Sequence, residues 1–230
     1  MFKKIIYLSF ITLFASNVFA GTILHHKISV TLEPDKHYID ATDQITIPAA
    51  DLKPVLYFLL NKNLKVTCES PRITLKLEEG GIAAEDFGID REDFELSSDN
   101  NVNKYSLTFS DEPTEDITVT LKFSGVINYS IEQLGEEYAR GFSQTPGIID
   151  QKGVYLAGST YWVPWFNNHL ITFELTTTIP ESWNVVSQGK RTVNDFKDDK
   201  HVICWDSPEP MEEIYLIQSK CKSWVLPIIQ

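Results

Sequence analysis

Residues 153–166 read GVYLAGSTYWVPWF, and the segments after them keep the same character: ITFELTTTIP at 171–180, ESWNVVSQGKR at 181–191 and VICWDSPEPMEEIYLIQSK at 202–220. Apolar and polar residues alternate along these pieces, and Pro, Gly, Asn and Asp separate them, which is the pattern of short β-strands and turns. Tyr155, Tyr161, Trp162, Trp165 and Phe166 fall within twelve residues, with Pro164 stiffening the backbone among them. Rings placed so closely either fill a core or interface, or stand outward and stack on sugar faces. Alternation and Pro164 leave only some rings outward, so packing is the preferred expectation.

Working outward, strand signals dominate the first half as well. Ile28, Val30 and Leu32 alternate with polar neighbours, and Ile39, Ala41, Ile45 and Ile47 share a period of two, broken at Asp43. Pro34-Asp35 between the two runs is a turn signal, so 22–47 reads as a long hairpin. The continuous apolar run at 56–60 suits a strand buried on both faces. Further strands are expected at 64–67, 73–77, 105–109, 117–128, 153–156, 170–178, 185–187, 190–193, 202–205 and 213–217. The acidic stretch 80–103 reads as a loop with one helical turn, and IEQLGEEYAR at 131–140 as a short helix. The expected class is all-β: a curved, saddle-like multi-stranded sandwich with one or two short helical insertions.

The 230 residues include a secretory layout at 1–20. Lys3 and Lys4 precede a short apolar run, and Val18-Phe19-Ala20 offers a small-residue cleavage site. That run is shorter than the roughly 20 residues a membrane helix needs. Export, to periplasm or extracellular space, is therefore expected, with no membrane span after cleavage. Removing 1–20 lowers Lys+Arg from 20 to 18 against 32 Asp+Glu, moving the formal charge from −12 to −14. A domain this acidic is a poor ligand for nucleic acid or anionic lipid.

An oxidising compartment permits a disulfide, but Cys68, Cys204 and Cys221 cannot all pair within one chain, and which pair forms stays open. Cys204, inside HVICWD, is expected as a buried thiol. No cysteines stand at C-x-x-C spacing, so neither a metal nor a redox centre is indicated.

Catalytic constellations are missing from the sequence. His25 and His26 are adjacent on a strand and point to opposite faces, while His37, His169 and His201 stand alone. No histidine is followed by glutamate, so H-E-x-x-H, which sets two zinc ligands one helical turn apart with a general base between, is absent. Ser159 lies in AGSTY without the G-x-S-x-G elbow that exposes a nucleophile. Glu136-Glu137 and Asp198-Asp199 read as solvated pairs. No Gly-rich phosphate loop occurs.

The order of motifs resembles the N-terminal β-domain of the aminopeptidase N family of zinc peptidases. HHKISVTLEPDKHYIDATDQITI looks like its opening hairpin, and LYFLLNKNLKVT and ITVTLKFSGVIN like its next strands. YLAGSTYWVPWF and EEIYLIQSK follow in family order, so the resemblance covers residues 23–219. It implies a saddle-like β-structure that shelves against a thermolysin-like catalytic domain, with one loop reaching the free amino terminus of the substrate. That loop falls near 158–162, where the family's Gln or Glu is replaced by Ser159, Thr160 and Tyr161. The zinc ligands and catalytic base belong to the catalytic domain.

The resulting expectations are a signal peptide at 1–20, the β-domain at 21–219 and an atypical tail at 220–230, as from a truncation or frameshift. No cofactor is expected in this chain, and zinc only in the missing domain. The expected function is an exported, non-catalytic domain with a packing or substrate-shielding role, partnered by a catalytic domain or another chain. Ser159, Thr160, Tyr161, Trp162 and Trp165 are the candidate rim or binding residues. The alternative is a secreted binding module for glycan or peptide, using Tyr161, Trp162 and Trp165 as a platform.

Overall fold

The computed structural model describes residues 22–79, 101–110, 114–133 and 143–220. Its first element is the expected hairpin. Strand β1 (Thr22–Glu33) turns through a 3-10 segment at Pro34–Lys36 into β2 (Tyr38–Ile47). Every second residue of both strands is buried, so the period-two pattern becomes one wet and one dry face.

Around that hairpin grows a seven-stranded sheet. It adds β4 (Leu64–Cys68), β7 (Ile117–Val126), β12 (His169–Pro180), β14 (Lys190–Lys197) and β15 (Lys200–Met211), in the order β14-β15-β12-β1-β2-β7-β4. All its pairings are antiparallel except β1 with β12, which begins at Thr22 opposite His169. A three-stranded sheet holds β3 (Val55–Asn61), β6 (Val102–Phe109) and β5 (Ile73–Leu77), in the order β3-β6-β5. A four-stranded sheet holds β10 (Ile148–Asp150), β11 (Gly153–Leu156), β16 (Leu216–Ser219) and β13 (Asn184–Val186), in the order β10-β11-β16-β13. A two-residue pair joins β8 (Glu132–Gln133) to β9 (Ser143–Gln144).

All three larger sheets feed one apolar core, with Ile28, Phe123 and Phe173 from the large sheet, Phe58 and Leu107 from the small one, and Val154 and Leu216 from the third. Sheets packed over a shared core make the all-β sandwich expected from sequence.

Several local expectations need correction. Strand β6 starts at Val102, inside the stretch read as loop to 103, because Val102 inserts into the apolar cluster with Leu59 and Tyr161. The helix expected at 131–140 does not begin as one: Glu132–Gln133 is extended and paired, and 134–140 lie outside the described residues. The last strand is Leu216–Ser219 rather than 213–217, since Glu213 and Ile214 are engaged by the 158–162 segment instead. Cys204 is half-buried, not buried; it sits on the opposite face of β15 from Ile203, with its Sγ 3.2 Å from the Thr176 hydroxyl.

Cys68 and Cys204 are both free and lie on β4 and β15, with β7, β2, β1 and β12 between. Five strand spacings, about 24 Å, separate such positions, far beyond disulfide reach. The calls on residues 1–20, the greater part of 80–103 and the tail with Cys221 lie outside the described residues.

Candidate functional site

The segment singled out by sequence leaves β11 and turns at once through a 3-10 turn at Gly158–Thr160. Ala157 N–H donates to Thr160 Oγ1 at 3.0 Å, and that hydroxyl donates onward to the Pro146 carbonyl. Tyr161 closes the turn at φ 50°, a left-handed backbone that costs a side-chain-bearing residue about 1 kcal/mol or more. Such a conformation persists only where its surroundings overdetermine it, and here two sheets do.

On one side, β3 grips the segment. Leu59 and Trp165 exchange both backbone hydrogen bonds at 2.9 Å, and Asn61 N–H donates to the Tyr161 carbonyl at 2.8 Å. The buried Asn61 side chain adds a bond from Nδ2 to the Thr160 carbonyl at 2.8 Å, and its Oδ1 accepts from Tyr129 Oη at 3.0 Å. On the other side, the chain entering β16 holds it. Trp162 Nε1 donates to the Ile214 carbonyl at 2.9 Å, and Gly158 N–H to Glu213 Oε2 at 2.6 Å. A Cβ on Gly158 would sit 2.3 Å from that carboxylate oxygen, so glycine permits the approach.

Glu213 also accepts from the Tyr215 hydroxyl. That bond, with burial and the carboxylate's charge adding to it, pushes the Tyr215 phenol up to about 12. Gln188 completes the corner, its amide accepting from Tyr215 N–H at 2.9 Å and donating to the Glu213 carbonyl at 3.1 Å.

Of the five candidates, only Ser159 is exposed. Thr160, Tyr161 and Trp162 are buried, and Trp165 is half-buried, edge-on to Tyr161 with ring centroids 6.1 Å apart. An aromatic platform needs open ring faces, and Tyr161 and Trp162 have none: backbone bonds on both sides draw them inward. The recess they border with Ala157 and Glu213 measures about 20 Å³, room for one water and not for a sugar ring. No histidine or carboxylate hydrogen-bonds Ser159 among the described residues, so nothing there activates it.

Zinc is tested by the donors present. His26 Nδ1 is bound to Asp43 at 2.7 Å with both side chains buried, and His201 stands between the Trp183 carbonyl and Asn194 Oδ1. His37 pairs with the Ile149 carbonyl, His169 with the Asn167 carbonyl and His25 with Thr172. Among the described residues no three His, Cys, Asp or Glu side chains converge as ligands. The donors among the described residues therefore do not form a zinc centre.

Sequence reading missed Asn61, Gln188, Glu213 and Tyr215, the residues that hold the turn. Asn61 left one legible signal: a polar amide closing the apolar run at 56–60. The other three left none, since their partners are distant in the chain.

No protein-family model matches this sequence, and no curated protein does. Solved structures share its fold. An M1 zinc metallopeptidase from Deinococcus radiodurans is 14% identical with a TM-score of 0.53. A mutant of that enzyme bound to a Tyr-Ser-Ala substrate is 13% identical with a TM-score of 0.54. A two-domain M1 zinc metallopeptidase mutant bound to L-tryptophan gives 14% and 0.54. Each match covers 86% of this chain but only 41–42% of the other. The likeness is one of fold: this chain shares its all-β architecture with part of these M1 zinc metallopeptidases and spans less than half their length.

Proposed function

We propose that this chain is the exported β-domain of a zinc-aminopeptidase-like protein, non-catalytic by itself. It packs against a catalytic domain and bounds the substrate cleft with the segment around Gly158–Thr160. The observation that carries this reading is a fold shared over 86% of the chain with proteins of which it spans 41%. The site geometry agrees: a rigid turn, clamped from two sheets, that presents Ser159 and its backbone but no activated group.

Two measurements test it. Purified chain, titrated with zinc and assayed on aminoacyl-coumarin substrates, is expected to take up no stoichiometric zinc and to release no coumarin above the blank. Hydrolysis abolished by a chelator would overturn the non-catalytic role. Mass spectrometry of the exported protein should find Gly21 as the first residue; an intact N-terminus confined to the cytoplasm would remove export from the reading.

A further inference from the structure

We draw no further inference here: the strongest candidate, the exposed apolar row of Tyr155, Ile217 and Val186 on the outer face of the four-stranded sheet with the cleft at its β13 end, is an unpartnered face, and nothing in the structure shows what covers it.

Discussion

Tyr155 and Trp162 lie seven residues apart in one aromatic-rich run, yet Tyr155 is 37% exposed and Trp162 is sealed. Tyr155 belongs to a strand, where parity alone assigns a side chain to a face, and its outer-face neighbours Ile217 and Val186 are exposed as well. Trp162 belongs to an irregular turn, where facing is set by which backbone groups find partners. Asn61, Leu59, Glu213 and Ile214 supply them. The turn is therefore overdetermined and shut, while the sheet face is regular and open. A site built on the first can only be shaped by backbone, whereas the second offers side chains to a partner.

The strongest way to break this contrast is to unseal the turn. Trp162→Ala should remove about 3–5 kcal/mol, a large aromatic lost from a site that cannot collapse, read as a lower urea midpoint with unchanged slope. Loss under 1 kcal/mol would mean the ring is not held. Asn61→Ala comes next, at about 2–3 kcal/mol, because it leaves the Thr160 carbonyl without its donor in a buried place. Chemical denaturation of this variant should show the deficit, and it should exceed that of any substitution on the open face.

Gly158→Ala sharpens the comparison from the other clamp. Glu213 must swing away from the new methyl, so the turn loses a charge-assisted bond at a cost of about 1–2 kcal/mol. Glu213→Ala combined with Gly158→Ala should then add little further, which a double-mutant cycle would read directly.

The same corner has a pH signature. Tyr215 is held above its ordinary phenol range, at about 12, first by its hydrogen bond to Glu213. A raised folded-state value means its contribution is present below pH about 10 and lost as pH rises through about 12. Phenolate absorbance should show the late ionisation in the native protein and lose it in Tyr215→Phe; Glu213→Gln should move it down. On the open face, Ile217→Thr should change stability by no more than about 0.5 kcal/mol, because the side chain is already largely wet. A cost above 2 kcal/mol in thermal unfolding would show that the row is covered.

Much of the fold was legible from periodicity. The hairpin, β5 and β11 fall on the residues their alternation indicated, because one buried face forces a period of two. Strand β10 escaped notice, as three residues are too few to show a period. The end of β16 shifted because Glu213 and Ile214 were claimed by a turn 55 residues earlier in the chain. The candidate site was located but its character was not. Composition marked residues 153–166 as special, while the sense in which the turn within them is special rests on Asn61 and Glu213, which no local pattern joins to it.

By itself, then, the sequence determined the all-β class, most of the strand positions and the absence of an H-E-x-x-H motif, since these follow from spacing along the chain. Tertiary structure alone decided which rings are sealed, that Cys68 and Cys204 are too far apart to pair, and that Arg191 and Trp205 meet Val186 and Ile217 across a cleft. The physical reason is that alternation fixes the two faces of a strand but not what covers them. Covering is set by strand order and by backbone hydrogen bonds between distant segments, and neither is written in any local window.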